Sequence, residues 1–175
     1  MMRTICLFVL ATSTVVLAQA PKHTPDIHFV PTPDAVVDAM LKIAHVTSGD
    51  VIYDLGSGDG RIVIEAARRY GARGVGIEID RELIKTANSR ARKAGVADKV
   101  RFVQTDLFQA DLSDATVVTL YLSDSINFRL QPKLRSQLKP GTRVVSHRFT
   151  MRDWPSDRDV DVGGKHVYLW TVPAR

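Results

Sequence analysis

The chain has 175 residues, 45% of them hydrophobic, and it carries a formal net charge of +5 at neutral pH. This composition supplies one core of ordinary size, and the length leaves no room for a second domain. The only cysteine, Cys6, lies in an N-terminal segment that we expect to be removed, so a structural disulfide is excluded.

Residues 1–20 have the pattern of a secretory signal peptide. A basic start at Arg3 is followed by an apolar stretch from Ile5 to Ala18 and by a small-x-small cleavage site, Ala18-Gln19-Ala20. We therefore predict export, to the periplasm or the medium, and a mature single domain of residues 21–175. An uncleaved membrane anchor is the alternative, although the stretch is short and polar for a bilayer span.

Helical and strand patterns alternate along the rest of the chain. Thr32-Pro33-Asp34 predicts a helix start with Thr32 as the capping residue, and Gly71 and Gly95 predict helix ends. The predicted helices cover 33–44, 61–70, 81–94 and 125–138. The predicted strands cover 51–54, 74–80, 100–104, 116–122, 143–147, 159–162 and 166–172.

This alternation predicts an α/β fold with a doubly wound, mostly parallel sheet and helices on both faces. The last two strands flank Gly163-Gly164 and predict an antiparallel hairpin at the sheet edge. Ligands of such sheets bind beyond the carboxyl ends of the strands, here near the first and the fourth.

The most informative feature is the turn that follows the first strand. The strand ends at Asp54, and the turn has glycines at Gly56, Gly58 and Gly60, which let the backbone approach a ligand closely. The next helix directs its positive end at the same place. A dinucleotide fingerprint requires glycine at position 61, where this chain has Arg61, so a pyrophosphate ligand is disfavoured.

Acidic residues follow the next two strands. Glu78 ends the second strand and can accept hydrogen bonds from two ribose hydroxyls, with Asp80 as a nearby competitor. Asp106, followed by Leu107, comes directly after the third strand. Each acid alone is more often a helix cap or a solvated loop residue. Their order at successive strand ends favours a nucleoside-like cofactor.

The glycine turn and these acids resemble the class I S-adenosylmethionine-dependent methyltransferases. The resemblance implies a Rossmann-like sheet of about seven strands and S-adenosyl-L-methionine as the cofactor. It implies that Asp106 accepts from the adenine amino group and that Leu107 flanks the ring. The residues implied to cradle the rest of the cofactor are Asp54, Gly56, Ser57, Gly58 and Gly60, with Glu78 at the ribose.

A narrower resemblance covers residues 29 to 172. Phe29-Val30-Pro31-Thr32-Pro33, the run from Asp54 to Arg61, Glu78, and Arg148-Phe149 followed by Trp154 are similar to a small family of protein-lysine methyltransferases. Its mitochondrial members modify the ATP synthase c subunit and the adenine nucleotide translocase. The resemblance implies a protein lysine as methyl acceptor and places Thr32 over the cofactor. It also makes membrane association possible, because known members carry an N-terminal membrane segment.

Tyr121 and Asp124, at the end of the fourth strand, are the candidates for orienting the acceptor. The alternatives are that Tyr121 is a packed strand residue and that Asp124 caps the following helix. His147 and Arg148, at the end of the fifth strand, could contact the substrate or simply lie at the surface.

Other functions have less support. The five histidines show no metal-ligand spacing, so no metal site is predicted. The cations between 81 and 101 are interleaved with acids, which favours a solvated helix face over a nucleic-acid groove. A small-molecule methyltransferase and an exported module that binds the cofactor without turnover remain as alternatives.

Overall fold

The computed structural model describes residues 29–174. The helices are α1 (Asp34–Ile43), α2 (Arg61–Tyr70), α3 (Arg81–Lys93) and α4 (Asp124–Gln137). The strands are β1 (Val51–Leu55), β2 (Arg73–Glu78), β3 (Val100–Gln104), β4 (Val117–Leu120), β5 (Arg143–His147), β6 (Arg158–Asp161) and β7 (His166–Thr171). The predicted signal peptide, residues 1–20, lies outside this range. Within it, no helix is long and apolar enough to cross a membrane.

The seven strands form one sheet in the order β3-β2-β1-β4-β5-β7-β6. The strands β1 to β5 are parallel, whereas β7 runs antiparallel to both β5 and β6. The chain order reverses between β1 and β4, which leaves a crevice beyond their carboxyl ends. The predicted α/β class, strand number and antiparallel C-terminal hairpin are confirmed.

Two apolar layers cover the two faces of the sheet. One contains α1, α2 and α3, and its buried residues include Met40, Leu41, Ile52 and Val63. The other contains α4 and the C-terminal tryptophans, and its buried residues include Leu55, Leu120, Leu130, Leu134, Met151 and Trp170. Helices on both faces bury the central strands completely, which explains why β1 and β4 are almost continuously apolar.

The first helix begins differently from the prediction. Its N-cap is Pro33, whose carbonyl oxygen accepts from the amides of Val36 and Val37, and no side chain caps the helix. Thr32 is buried, with 4% of its surface exposed, and it lines a cavity instead. The predicted capping role of Thr32 is therefore wrong, because its side chain faces the cavity that the helix start borders.

A buried carboxylate ties together the amino-terminal ends of three strands. Asp50 Oδ1 accepts from Thr116 Oγ1 at 2.7 Å and pairs with Arg143, while Oδ2 accepts from the Thr47 amide at 2.7 Å. Burial alone would raise the pKa of Asp50. The hydrogen bonds from Thr116 and Thr47 and the charge of Arg143 outweigh burial and hold that pKa below its ordinary value.

We expect Asp50→Asn to lower the free energy of unfolding by about 2 to 4 kcal/mol, because it leaves Arg143 without its charge partner. Urea denaturation at pH 7 measures this change. Glu82→Gln is the control, since the ion pair of Glu82 with Lys85 is exposed on α3 and should contribute less than about 0.5 kcal/mol. Equal midpoints for the two variants would contradict a stabilising role of Asp50.

Candidate active site

A cavity of about 440 Å³ lies at the carboxyl ends of β1, β2, β3 and β4. This size is typical of pockets for small molecules and cofactors. Of the residues predicted to bind the cofactor, those that line the cavity are Thr32, Asp54, Gly56, Ser57, Glu78, Asp106 and Leu107, and Tyr121 lines it as well. Gly58, Gly60 and Asp124 are not among the lining residues.

The glycine turn forms the floor of the cavity. The φ angles of Gly56, Gly58 and Gly60 are positive, at 78°, 53° and 77°. Residues with a β-carbon rarely adopt this conformation. The amides of Gly56 and Ser57 both donate to the Ile77 carbonyl at 2.9 Å, so the turn is bound to the end of β2. Although Gly58 does not line the cavity, a β-carbon there would lie 2.3 Å from the Phe29 ring, which does.

Glu78 is held in place entirely by backbone amides. Its Oε2 accepts from the Gly58 amide at 2.9 Å, and its Oε1 accepts from the amides of Ile79 at 2.8 Å and Asp80 at 2.9 Å. A carboxylate offers about four acceptor positions, so one remains for a ligand hydroxyl. The residue is only 9% exposed and lines the cavity.

Asp54 is the most perturbed acid of the cavity. Its Oδ1 accepts from Thr119 Oγ1 at 2.7 Å, and the residue is 3% exposed. Burial raises the pKa of Asp54 to about 7, and the nearby charges of Glu78 and Asp59 add to the effect against the Thr119 hydrogen bond. A cation bound beside Asp54 would favour its charged form.

Arg61 occupies the position where a dinucleotide site would have glycine, and it joins two walls of the cavity. Its Nε and Nη2 donate to Asp59 at 3.0 and 2.8 Å, and its Nη1 donates to the Thr32 carbonyl at 2.9 Å. Arg90 on α3 also pairs with Asp59. These bonds attach the segment before α1 to the glycine turn, and the sequence pattern did not predict them.

Asp106 and its apolar neighbours form the wall beyond β3. Asp106 Oδ1 accepts from the Phe108 amide at 2.9 Å, which shapes the turn and leaves Oδ2 available to a ligand. Leu107 and Phe108 are half-buried and line the cavity. The Arg129 guanidinium covers the Phe108 ring at 4.4 Å. A flat apolar ring would fit between such walls with a polar edge directed at Asp106.

The two catalytic candidates have different surroundings. Tyr121 is half-buried and lines the cavity, and its ring packs on His147 with centroids 4.0 Å apart. Asp124 is exposed, and its Oδ1 accepts from the Thr150 amide at 3.0 Å and from Thr150 Oγ1 at 3.3 Å. The cap of α4 is Ser123, whose hydroxyl accepts from the Ile126 amide, so Asp124 is not the cap.

Residues 29–174 contain no group of three or more histidine, cysteine, aspartate or glutamate side chains that could hold a metal ion. Two acids that line the cavity, Asp54 and Asp59, are instead committed to Thr119 and to arginines.

Asp54 should make the stability of the ligand-free protein depend on pH. Because its folded pKa of about 7 exceeds the ordinary value of 3.8, the folded protein retains a proton that the unfolded chain loses as pH rises between these values. Stability therefore falls through this window and stays lower above it.

As pH rises from 5 to 8, the free energy of unfolding of the parent protein should fall by about 2 to 3 kcal/mol more than that of Asp54→Asn. Urea denaturation of both proteins at the two pH values measures this difference. His147, whose pKa is lowered, contributes equally to both proteins and cancels. A difference that does not change with pH would contradict the raised pKa of Asp54.

Known proteins share this sequence and this geometry. Residues 54–158 match the family model described as the ANTKMT methyltransferase domain. A protein-lysine N-methyltransferase of Saccharolobus islandicus is 47% identical over 155 residues, which cover 86% of this chain and 96% of the relative. The adenine nucleotide translocase lysine N-methyltransferase of Mus musculus is 35% identical, and the match covers 78% of this chain and 59% of the mouse protein.

A crystal structure of a protein named as an RNA methyltransferase from Salinibacter ruber, in complex with S-adenosyl-L-homocysteine, has a TM-score of 0.82 and 62% identity. The match covers 83% of this chain and 95% of that one. The family match, the near-complete overlap with two methyltransferases and the cavity at the β1–β4 switch agree with one another. The chain belongs to the S-adenosylmethionine-dependent methyltransferase family that the ANTKMT methyltransferase domain defines.

Proposed function

We propose that this protein transfers a methyl group from S-adenosyl-L-methionine to the side-chain amine of a lysine in a protein. The observation that carries the proposal is the 47% identity to a protein-lysine N-methyltransferase over 96% of that relative's length. The match to the mouse adenine nucleotide translocase lysine N-methyltransferase covers 78% of this chain, although the mouse protein is longer. The acceptor is a protein in the names of both relatives.

The cavity fits the cofactor in ways that do not depend on the comparisons. Ser57 Oγ is buried, lines the cavity and has no hydrogen-bond partner among the described residues, so a ligand can supply one. The floor below it is closely packed, since a β-carbon at Gly76 would lie 2.6 Å from that oxygen. A polar ligand with several hydrogen-bonding groups satisfies both the serine and the acids.

We assign the cofactor-binding roles by the chemistry of each group. Glu78 would accept from a ribose hydroxyl through its remaining acceptor position, and Asp106 from the adenine amino group, with Leu107 against the ring. Asp54 would lie near the cationic part. The remaining wall would be formed by Gly56 and Ser57 of the glycine turn and by Thr32 before α1, while Gly58 and Gly60 would shape the turn behind it.

S-adenosyl-L-methionine, when bound, would supply an electrophilic methyl group for the amine nitrogen. The chain has to align a neutral amine with that methyl group and exclude water. A free lysine has a pKa of about 10.4, and a desolvated approach lowers it toward the neutral form. The half-buried Tyr121 and the buried Leu122 and Ile126 are the cavity residues nearest to the end of β4 and provide such an environment.

RNA is the second candidate acceptor, because the Salinibacter ruber protein, at 62% identity, is named as an RNA methyltransferase. The basic net charge of +5 is compatible with either an acidic protein or RNA. Lysine is preferred because the curated relatives that carry an acceptor in their names and match most of this chain name lysine.

We further propose that the mature enzyme is the single domain of residues 21–175 and that residues 1–20 direct its export. The support is the order of basic start, apolar stretch and small-x-small site in the sequence. A membrane anchor in the same segment is the alternative.

We expect Glu78→Gln to weaken binding of S-adenosyl-L-homocysteine by about 1 to 3 kcal/mol, because the amide that replaces one oxygen cannot accept a hydroxyl hydrogen. Isothermal titration calorimetry measures the affinity, and thermal unfolding checks that the variant is folded. Glu82→Gln, at an exposed position on α3, is the matched control and should bind as the parent does. Unchanged affinity in Glu78→Gln would remove Glu78 from the ribose site.

The acceptor class can be tested with radiolabelled S-adenosylmethionine and a lysate of the native host. We expect the label in protein, resistant to ribonuclease and recovered as methyl-lysine after acid hydrolysis. The Glu78→Gln variant at the same low cofactor concentration should label less. Label that ribonuclease removes would establish RNA as the acceptor, and label confined to small organic products would establish a small-molecule methyltransferase.

A further inference from the structure

We propose that the rings of Tyr121, His147 and Phe149 form an aromatic wall that receives the side chain of the acceptor lysine, and that Asp124 and Asn127 hold this wall in place. The proposal rests on the proposed function and adds the place where the acceptor binds. It also changes the role expected for Asp124.

The aromatic wall stands at the end of two adjacent parallel strands. Tyr121 directly follows β4 and lines the cavity, and His147 ends β5. The centroid of the Tyr121 ring lies 4.0 Å from that of His147, with an angle of 34° between the ring planes. It lies 6.0 Å from the centroid of Phe149, with an interplanar angle of 22°. Both distances lie in or near the range of direct ring contact. Tyr121 is the ring of the three that lines the cavity, and His147 and Phe149 pack against it and set its position.

His147 is the buried member of the wall. It is 2% exposed, and its Nδ1 is buried with no hydrogen-bond partner among the described residues. Burial, aided by the charges of Lys165 and Arg148, lowers the pKa of His147 to about 4, so the ring is neutral near pH 7 and does not repel a cation.

The turn that carries Phe149 is fixed by α4. Arg148 has a φ of 70°, which reverses the chain directly after β5. Asn127, fully buried on α4, donates through Nδ2 to Ser146 Oγ at 3.1 Å, to the Phe149 carbonyl at 3.2 Å and to the Thr150 carbonyl at 3.4 Å. These bonds fix the backbone of Phe149 relative to the end of β5.

Asp124 acts on the same turn from the first residue of α4. Its Oδ1 accepts from both the amide and the hydroxyl of Thr150, and the residue is not among those that line the cavity. Because both of these bonds go to Thr150, we assign Asp124 as a positioning residue that acts through the turn.

An aromatic wall suits a lysine that is being methylated. Ring faces pack against the aliphatic stem of a lysine and hold a methylated ammonium product without requiring N–H donors, so substrate and methylated product can both bind. The same rings exclude water from the amine.

The first test uses Phe149→Leu, with Phe128→Leu as the control. Phe128 is 39% exposed on α4 and outside the wall. We expect Phe149→Leu to lower kcat/KM for lysine methylation by about tenfold or more, chiefly through KM, because the ring is lost. Phe128→Leu should stay within about twofold of the parent. Both should bind S-adenosyl-L-homocysteine as the parent does, which also verifies folding.

The second test separates positioning from chemistry at Asp124. Asp124→Asn retains an oxygen that can accept from Thr150 and should keep most of the activity, whereas Asp124→Ala should raise KM. Loss of kcat in Asp124→Asn with an unchanged KM would show that the charge itself takes part, and would overturn the positioning role.

A third measurement needs no variant activity. Nε-trimethyl-lysine amide added to the parent protein loaded with S-adenosyl-L-homocysteine should shift the NMR signals of Tyr121 and Phe149 and leave those of Phe128 unchanged. If the parent methylates lysine but Phe149→Leu retains its kcat/KM, or these signals do not shift, the aromatic wall is wrong and the proposed function stands. If the parent labels RNA and not protein, the proposed function fails and this proposal with it.

Discussion

The site depends on one carboxylate that organises the backbone around it. Glu78 accepts amides from both the glycine turn after β1 and the chain after β2, so it fixes two neighbouring strand ends against each other. Without a negative charge here, three inward-directed amides would face one another with no acceptor. The same residue lines the cavity, so the bonds that shape the backbone here also fix the orientation of its carboxylate there.

Charge is distributed unevenly around that carboxylate. Asp54, Asp59 and Glu78 converge on one cavity, and only Asp59 is matched by arginines, Arg61 and Arg90. Burial and the repulsion from Glu78 and Asp59 therefore raise the pKa of Asp54, the acid with the fewest partners. A ligand with positive charge relieves this repulsion, whereas an anionic ligand would increase it. The electrostatics of the cavity agree with a sulfonium cofactor and disagree with a pyrophosphate.

Much of the fold could be predicted from the sequence because its signals are local. The run from Val51 to Gly60 contains strand, turn and helix start within ten residues, and the alternation of patterns determines the sheet class. The capping role predicted for Thr32 is wrong because a threonine that caps a helix and one that lines a cavity have the same local sequence pattern. The role of Asp124 depends on Thr150, 26 residues away, and the burial of His147 depends on the pairing of β5 with β7. Such long-range contacts leave no local trace in a single sequence.

The hydrogen bond from Arg61 to the segment before α1 allows the side chains of that segment to vary. The guanidinium holds the carbonyl oxygen of residue 32 rather than a side chain. The attachment of the segment before α1 therefore does not depend on which amino acid occupies position 32. Substitutions at position 32 can therefore change the lining of the cavity while the segment before α1 keeps its attachment to Arg61.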